Sequence, residues 1–359
     1  MVKPTSLTLP QLDELTRYPS VRQTPLASTL PNGRVRCGVC QRRCAIPPGR
    51  FGFCATRVNI RGNLHTVTYG DVSSISANPI EKKPFFHFWP GSYALTIGTW
   101  GCNLTCLWCQ NFEISKYPPD PLKAGFFDAK RLLDTAVAEG CQGVSFSFNE
   151  PTMLFEYALD VFPLARKRGL YSNYVSNGYM TGDVLEMLKD AGMEAIKFDV
   201  KGDREAVRRF CAADVDYVWR NVGLAKELEL HVEVVTLIIP GVNDSEEQIE
   251  RITKRHLREA GEDTPLHFTR FYPAYRMVDR PPTPVETLER ASRIARKLGV
   301  HYVYLGNLPG HRPENTYCHN CNELLVKRYG LTVVRYSVAE GRRCPKCGCK
   351  IPIVGEYVP

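Results

Sequence analysis

The distribution of the cysteines constrains this chain more than any other feature of its sequence. Fourteen cysteines occur among 359 residues, and eleven of them fall into three groups. The N-terminal segment lacks the charged-then-apolar pattern of a secretion signal, so we predict a cytoplasmic protein whose thiols bind metal rather than form disulfides. The groups are Cys37, Cys40, Cys44 and Cys54; Cys102, Cys106 and Cys109; and Cys318, Cys321, Cys344 and Cys347.

Composition argues against several broad classes of protein. Hydrophobic residues make up 43% of the chain, which is enough for a sizeable core and argues against global disorder. The sequence has no run of about 18 apolar residues, so we expect no membrane span. The net charge of +8 is spread along the chain, which is typical of a solvated basic surface, and we expect no nucleic-acid partner.

Strand-like and helix-like segments alternate through the middle of the chain. This order predicts an α/β fold with parallel strands, and about six repeats predict a partial (β/α)6 TIM-type barrel with its chemistry at the C-terminal strand ends. The candidate strands are Tyr93–Gly98, Gly143–Phe148, Ser172–Ser176, Ala195–Val200, His231–Ile239 and Leu266–Phe271, with a short last one at Tyr302–Leu305. The candidate helices are Ala129–Glu139, Phe155–Arg168, Val184–Ala191, Tyr217–Glu229, Glu246–Glu259 and Glu286–Leu298.

The cysteine groups and this alternation together predict three domains. Residues 1–90 would form an N-terminal cysteine-rich module that binds metal through four cysteines, followed by a connector that is rich in proline and aromatic residues. Residues 91–306 would form the barrel. Residues 307–359 would form a C-terminal four-cysteine module of the zinc-ribbon or rubredoxin-like type, built on a small β-ribbon.

The central cysteines are one ligand short of a closed metal site. They follow the first predicted barrel strand with the spacing Cys102-x3-Cys106-x2-Cys109, and the next four residues contain no cysteine or histidine. Three thiolates can hold three irons of a four-iron cubane, which leaves the fourth iron without a protein ligand. An open coordination position is where a metal does chemistry. The alternative is a three-cysteine zinc knot completed by a distant histidine such as His87.

The cysteine triplet resembles the signature of the radical S-adenosylmethionine (SAM) superfamily. The resemblance implies a [4Fe–4S] cluster whose open iron binds the amino and carboxylate groups of SAM. It also implies that the reduced cluster cleaves SAM to a 5′-deoxyadenosyl radical, which abstracts hydrogen from a substrate. Cys102, Cys106 and Cys109 would then be the catalytic cluster ligands.

The end of the second predicted strand resembles a SAM-binding motif of the same superfamily. Ser147–Pro151 is similar to the Gly-Gly-Glu-Pro motif, although Phe148 and Asn149 stand where that motif has glycines. The resemblance implies that Asn149 and Glu150 contact the amino group of SAM. A carboxylate that only stabilises the start of the next helix is the alternative for Glu150.

The next two strand ends resemble motifs of glycyl-radical-enzyme activases. Ser176-Asn177-Gly178 is similar to a Thr-Asn-Gly motif, and Asp199-Val200-Lys201 is similar to an Asp-Leu-Lys motif. The resemblance implies that Ser176, Asn177, Asp199 and Lys201 hold the carboxylate and ribose of SAM. The alternative for Asp199 and Lys201 is a structural ion pair at the rim of the barrel.

The two outer cysteine groups predict closed metal sites. Paired C-x2-C motifs at Cys318/Cys321 and Cys344/Cys347 indicate a tetrahedral four-thiolate site for zinc, or for a rubredoxin-like mononuclear iron. The tighter N-terminal group, from Cys37 to Cys54, is interpreted as a zinc site or a second iron–sulfur cluster, with zinc preferred. Its role would be structural, or an electron relay in the case of a cluster.

Further motifs along the chain resemble one group within the superfamily, the AmmeMemoRadiSam-system radical SAM proteins, which are related to pyruvate formate-lyase activating enzymes. That resemblance implies Memo-like and AMMECR-type partner proteins and an electron donor, but no defined substrate. His311 is a hypothetical substrate contact. The motifs are Asn78–Pro84, Cys109–Asn111, Asn149–Thr152, Val175–Tyr179 and Gly306–His311.

Two other functions compete with an unspecified hydrogen abstraction. One is a glycyl-radical-enzyme activase, which installs a radical on a protein backbone. The other is a zinc-binding scaffold for nucleic acid or protein, which accounts for the charge and the outer sites. The scaffold leaves the three-cysteine group unexplained.

Overall fold

The computed structural model of this chain describes residues 9–359. The main structural feature of these residues is a series of parallel strands that are connected by crossover helices. The chain divides into two compact units. Unit 1 consists of the residues up to Ala77 together with Ala94–Glu194, and unit 2 consists of Asn78–Tyr93 together with Ala195–Pro359. Across the described residues, helices are too short or too polar to cross a membrane. The division into domains 1–90, 91–306 and 307–359 stays a prediction.

Two small antiparallel sheets form the N-terminal part of unit 1. The elements are α1 (Leu9–Leu15), β1 (Arg22–Gln23), β2 (Ala27–Thr29), β3 (Val35–Cys37), β4 (Ala45–Ile46), β5 (Arg57–Ile60) and β6 (Asn63–Thr66). One sheet has the order β1-β6-β5 and the other has the order β2-β3-β4. Leu12, Val58 and Val67 are buried together, which anchors α1 on the first sheet. The hairpin β3-β4 carries Cys37 at the end of β3 and brings Cys44 next to it through a backbone hydrogen bond of 2.9 Å.

The rest of unit 1 alternates strands and helices. The elements are β7 (Ser74–Pro79), β8 (Tyr93–Gly98), α2 (Phe112–Ser115), α3 (Ala129–Ala138), β9 (Gly143–Phe146), α4 (Phe155–Lys167), β10 (Tyr171–Ser176) and α5 (Gly182–Ala191). Strand β9 pairs in parallel with both β8 and β10. A Cβ atom at Gly143 would lie 2.1 Å from the Tyr171 ring, so this register requires glycine. Helices α3 and α5 begin at the side-chain caps Asp128 and Thr181.

Unit 2 repeats the same alternation. The elements are β11 (Ala195–Asp199), α6 (Arg204–Cys211), α7 (Val215–Glu227), β12 (His231–Ile238), α8 (Glu246–Glu259), β13 (Leu266–Arg270), α9 (Val285–Lys297) and β14 (Val303–Gly306). The four strands pair in parallel in chain order. Ser245 and Gln248 form a capping box at the start of α8, which fixes where that helix begins.

A three-stranded antiparallel ribbon ends unit 2. It consists of β15 (Thr316–Tyr317), β16 (Leu324–Tyr329) and β17 (Thr332–Tyr336). Its buried residues share a hydrophobic cluster with Phe86, Tyr302 and Tyr304. Arg328 is buried and donates a hydrogen bond of 2.7 Å to the Phe86 carbonyl. The ribbon therefore packs on the end of β14 and on the segment before Tyr93.

The predicted elements agree closely with the structure. The α/β class and the parallel strands are confirmed, and the bounds of Tyr93–Gly98 and Glu246–Glu259 are those predicted. Helix α6 was missed because it is short and mostly polar, with only Ala206, Val207 and Cys211 buried. The partial barrel and the zinc-ribbon or rubredoxin-like identity of the C-terminal module stay predictions.

Candidate functional site

The cysteine triplet lies in the loop that leaves β8. Cys102 and Cys106 are buried and Cys109 is half-buried. The loop needs glycine at position 101, where φ is +75° and a Cβ atom would lie 2.5 Å from the Cys54 carbonyl oxygen. At the far end of the loop, the Cys109 sulfur lies 3.0 Å from the hydroxyl of Ser115 in α2. Sequence and backbone conformation thus concentrate three thiols in a short, enclosed loop.

The surroundings of these thiols suit a metal cluster. Burial raises the pKa of the Cys102 thiol to about 12, with Lys116 opposing this shift and Glu150 adding to it. A buried thiol of this kind becomes a thiolate when a metal replaces its proton. The Cys102 sulfur also accepts a hydrogen bond of 3.4 Å from the Leu104 amide. Within residues 9–359, the three sulfur atoms are not part of a group of three or more ligand atoms that all lie within 4.8 Å of one another.

Glu150 is the centre of a buried hydrogen-bond network at the end of β9. Its Oε1 atom accepts from the Ser176 hydroxyl at 2.8 Å, and its Oε2 atom accepts from the Asn177 amide at 2.9 Å. The same carboxylate caps the short 3-10 helix that follows by accepting from the Thr152 amide at 3.1 Å. Burial raises the pKa of Glu150, while these donors oppose the shift. The helix-start alternative for Glu150 therefore describes part of its role.

Asn149 holds the cysteine loop. Its Oδ1 atom accepts a hydrogen bond from the Thr99 amide at 3.0 Å, and its Nδ2 atom donates to the Gly101 carbonyl at 2.8 Å. Both ends of the side-chain amide therefore bind the loop, and a contact of Asn149 with SAM stays a prediction. Phe148, which has a φ of +62°, places its Cβ against Gly98, where an added Cβ would lie only 2.8 Å away. This corner of β9 therefore positions the cysteines.

Asn177 connects the end of β10 to the cysteine loop. Its Nδ2 atom donates to the Asn103 side chain at 2.8 Å and lies 3.8 Å from the Cys102 sulfur. Its Oδ1 atom accepts from the Tyr179 amide at 2.9 Å. The structure thus brings Cys102, Glu150 and Asn177 close together within unit 1.

Several polar residues of this loop were missed by sequence reasoning. Asn103 accepts the hydrogen bond from Asn177, Asn111 donates to the Phe148 carbonyl, and Lys116 donates to the Leu104 carbonyl at 3.0 Å. The sequence signal for Asn103 and Asn111 was their place beside Cys102 and Cys109. Nothing in the sequence pattern distinguishes Lys116.

Asp199 and Lys201 belong to unit 2, where they form an ion pair of 2.9 Å at the end of β11. Lys197, which sequence reasoning did not select, pairs with the other carboxylate oxygen of Asp199. The sequence could have indicated Lys197, because side chains two positions apart lie on the same side of an extended strand, as residues 197, 199 and 201 do. Burial alone would raise the pKa of Asp199, but the two ammonium groups hold it well below its usual range. The ion-pair alternative therefore describes these two residues within unit 2.

His311, the hypothetical substrate contact, lies 3.1 Å from a carboxylate oxygen of Glu289. His87, the candidate fourth ligand of a zinc knot, is buried in unit 2. Its Nε2 atom lies 2.6 Å from the Tyr304 hydroxyl, and burial lowers the pKa of the imidazole to about 3. The ring of His87 is thus engaged by a structural hydrogen bond.

The four C-terminal cysteines converge on one point. All four sulfur atoms lie within 4.8 Å of one another, and the pairs Cys318/Cys347 and Cys321/Cys344 are each 3.6 Å apart. Four thiolates around one ion at about 2.3 Å place neighbouring sulfurs about 3.8 Å apart. The group therefore has the geometry of a single-ion site, which both zinc and rubredoxin-like iron satisfy.

The four N-terminal cysteines are arranged differently. Cys37, Cys40 and Cys54 are buried and Cys44 is half-buried, and all four line one cavity with Arg57. Within residues 9–359, they do not form a group of sulfur atoms within 4.8 Å of one another.

Comparison with known proteins gives the family of this chain. Residues 96–253, which include the cysteine triplet, match the radical SAM superfamily. The chain is 40% identical over 336 residues to MJ0808, an uncharacterized protein of Methanocaldococcus jannaschii, and the match covers 93% of this chain and 100% of the relative.

More distant similarities are shorter. MJ1227 of the same organism, whose name describes it as a putative glycyl-radical enzyme activating enzyme, is 25% identical over 174 residues, which cover 46% of this chain and 69% of that protein. Among solved structures, SuiB of Streptococcus suis bound to S-adenosylmethionine is similar with a TM-score of 0.48 at 14% identity, over 67% of this chain and 56% of SuiB. The superfamily match together with the nearly full-length relative shows that this chain belongs to the radical SAM superfamily, in one family with MJ0808 of Methanocaldococcus jannaschii.

Proposed function

We propose that this chain is an enzyme that cleaves SAM reductively at a [4Fe–4S] cluster held by Cys102, Cys106 and Cys109. When bound, the cluster supplies the electron that converts SAM to methionine and a 5′-deoxyadenosyl radical, which abstracts hydrogen from a substrate still to be identified. The observation that carries this proposal is the enclosed three-cysteine loop, which lies inside the segment that matches the superfamily. In the zinc-knot alternative the fourth ligand would be a distant histidine such as His87, whose Nε2 atom lies 2.6 Å from the Tyr304 hydroxyl.

The residues around the loop have two proposed tasks. Asn149 and Asn177 position the cysteines through hydrogen bonds to the backbone of Thr99 and Gly101 and to the side chain of Asn103. Glu150 and Ser176 would bind and orient the SAM amino and carboxylate groups. Their mutual hydrogen bond of 2.8 Å preorganises them for that task.

Asp199 and Lys201 are proposed SAM contacts on the strength of the motif they form with Val200. The carboxylate would accept from ribose hydroxyls, and the ammonium group would pair with the SAM carboxylate. The low pKa of Asp199 keeps it ionised, and therefore an acceptor, across the physiological range. The ion pair between Asp199 and Lys197 holds this carboxylate in place within unit 2.

Finer assignments rest on the sequence resemblance. We propose a cytoplasmic member of the AmmeMemoRadiSam system, with Memo-like and AMMECR-type partner proteins and a separate electron donor. A second candidate function is glycyl-radical-enzyme activation, which the similarity to MJ1227 favours. The two functions differ in their product, because an activase leaves an EPR-visible glycyl radical on its partner protein and the alternative does not.

The central test is SAM cleavage by anaerobically reconstituted, reduced protein. The wild-type chain should release 5′-deoxyadenosine. Replacing Cys102, Cys106 and Cys109 with Ala should lower that release at least about 100-fold, because no cluster with an open iron can form. The matched control is Cys141→Ala, a buried cysteine of unit 1 outside the three groups, which should keep full activity. Retained 5′-deoxyadenosine release in the triple variant would refute the proposal.

A further inference from the structure

We propose that Cys37, Cys40, Cys44 and Cys54 hold a second [4Fe–4S] cluster, fully ligated by protein, that relays single electrons to the cluster at Cys102, Cys106 and Cys109. The relay rests on the proposed function, whereas the second cluster does not. All seven cysteines belong to unit 1. The alternative occupant of the N-terminal site is a single zinc ion.

The spacing of the sulfur atoms favours a cluster over one ion. A single ion draws four thiolates to about 3.8 Å from one another, because each bond is about 2.3 Å long. The C-terminal cysteines of this same chain show that arrangement, with sulfur pairs 3.6 Å apart. The N-terminal cysteines line a common cavity without forming a group within 4.8 Å, among the residues that the structure describes. The thiolates of a cubane bind different irons, so they do not have to lie at the sulfur–sulfur distance of a single-ion site.

The cavity also contains a cation whose hydrogen-bonding groups are not all used. Arg57 is buried, and one of its terminal nitrogens pairs with Glu156 at 2.9 Å. Its Nε and Nη1 atoms are buried and have no hydrogen-bond partner among the described residues. Buried N–H donors without partners are costly, and the sulfides and thiolates of a cluster are acceptors that would satisfy them. Arg57 therefore points to an anionic metal centre in this cavity.

The wall of this cavity touches the other cysteine loop on both sides of Cys102. The carbonyl oxygen of Cys54 approaches Gly101 so closely that an added Cβ there would lie 2.5 Å away. Arg42 donates a hydrogen bond of 2.9 Å from its Nε atom to the Asn103 carbonyl. Gly101 and Asn103 are the two chain neighbours of Cys102. Cys54, a ligand of the N-terminal site, is thus connected to Cys102, a ligand of the other site, through the contact between its carbonyl oxygen and Gly101.

Four protein ligands determine what the second cluster does. Since every iron has a thiolate, none is open for SAM, and the remaining chemistry is one-electron transfer. A cluster held by Cys37, Cys40, Cys44 and Cys54 would supply one electron to the first cluster, taken from a low-potential protein donor of the ferredoxin or flavodoxin class. That electron would go to the C5′–S bond of SAM, which breaks to give methionine and the 5′-deoxyadenosyl radical. Each cleavage oxidises the donor by one electron, reduces SAM by one electron and returns both clusters to their starting states.

The first experiment counts sulfide in a variant that leaves the N-terminal site untouched. Protein carrying Cys102→Ala, Cys106→Ala and Cys109→Ala is reconstituted anaerobically and analysed for iron, acid-labile sulfide and zinc. We expect about four sulfides per chain and an EPR signal after dithionite reduction. Rubredoxin-like iron at the C-terminal site contributes no sulfide. Zinc without sulfide in this variant would overturn the second cluster.

The controls separate loss of a ligand from loss of folding. Adding Cys37→Ala and Cys40→Ala to the triple variant should abolish the sulfide. Adding Cys141→Ala and Cys211→Ala instead, two buried cysteines outside the groups, should leave it unchanged. Sulfide that persists without Cys37 and Cys40 would overturn the assignment of the ligands.

The second experiment tests the relay. In the variant Cys37→Ala/Cys40→Ala with the other loop intact, we expect reduction by a flavodoxin-class donor to slow at least about tenfold. Reduction by dithionite, a small reagent that reaches the other cluster directly, should change little. Equal rates with the protein donor in wild type and variant would overturn the relay. If wild-type protein releases no 5′-deoxyadenosine, the proposed function fails while the sulfide count still decides the second cluster.

Discussion

Glu150 receives hydrogen bonds from three neighbouring residues although its side chain is buried. The donors are the Ser176 hydroxyl, the Asn177 amide, and the amide and hydroxyl of Thr152. Burial raises the pKa of Glu150, because it disfavours the ionised carboxylate. The hydrogen bonds from these donors favour the ionised form and oppose that shift. A site that keeps a buried carboxylate beside a cysteine loop is suited to recognising a cationic group such as the ammonium of SAM.

At the residue scale, the Glu150→Gln variant separates the contribution of Glu150 to SAM binding from its contribution to the stability of the fold. Gln keeps the shape but removes the charge and one acceptor, so we expect the Kd for SAM to rise about tenfold, which corresponds to about 1.4 kcal/mol. The free energy of unfolding should fall by about 1–3 kcal/mol, because a donor of the network loses its acceptor. Isothermal titration calorimetry of SAM with reconstituted protein and denaturant unfolding measure the two effects.

The control for this variant is Glu186→Gln, which changes an exposed carboxylate on α5. It should alter neither quantity. If Glu150→Gln lowered stability and left the Kd for SAM unchanged, Glu150 would be a structural residue and the motif assignment would be wrong.

At the scale of elements, the cysteine loop and the N-terminal module meet at Gly101. Alanine there has to adopt a φ of +75° and also places its Cβ 2.5 Å from the Cys54 carbonyl oxygen. We expect Gly101→Ala to cost about 2–3 kcal/mol of unfolding free energy and to lower the iron content, since the loop and the module have to separate.

Gly140→Ala is the matched control for this prediction. Gly140 has a similar φ of +67°, but an added Cβ has no atom within 4 Å. We expect Gly140→Ala to lower the free energy of unfolding by about 1 kcal/mol, because of backbone strain alone, and to leave the iron content unchanged. Equal effects of the two variants would show that the close approach at Gly101 is unimportant. Denaturant unfolding and iron analysis measure both.

The strands and long helices from β8 to β14 were largely predictable, because most of these strands are apolar runs and the long helices have an apolar face. Strand β8 and helix α8 show this most clearly. The hydrogen bonds from Asn149 to the backbone of Thr99 and Gly101 were not predictable, since they depend on the turn at Phe148 and its φ of +62°. The distances between the sulfur atoms within each cysteine group could not be predicted from the sequence either. That spacing depends on how the intervening loop folds, whereas the sequence supplies only the number of residues between ligands.

At the scale of the whole molecule, the chain leaves unit 1 and returns to it around residues 78–93. This segment is part of unit 2, where Trp89 donates a backbone hydrogen bond of 2.8 Å to Val354 and Val358 donates one of 2.9 Å to Pro90. Arg328 adds an ion pair of 3.7 Å with Glu81. Prolines and aromatic residues predicted a packed connector here, but not its contacts with the last residues of the chain, which lie more than 200 positions away.

The metal of the C-terminal site is expected to stabilise this part of unit 2 without taking part in SAM cleavage. Cys318 and Cys344 are buried in one hydrophobic cluster with Tyr302, Tyr304 and Phe86, so losing the ion exposes or repacks that cluster. We expect Cys344→Ala/Cys347→Ala to lower the unfolding free energy by at least about 3 kcal/mol and the Tm by on the order of 10 °C. The cysteine loop lies in unit 1, so iron and sulfide bound there should be retained. Calorimetry and metal analysis measure these quantities, with Cys349→Ala as the control, because this half-buried thiol lies outside the four ligands. A variant with unchanged Tm would contradict a structural role, and one that lost its sulfide together with the C-terminal ion would contradict the independence of the two sites.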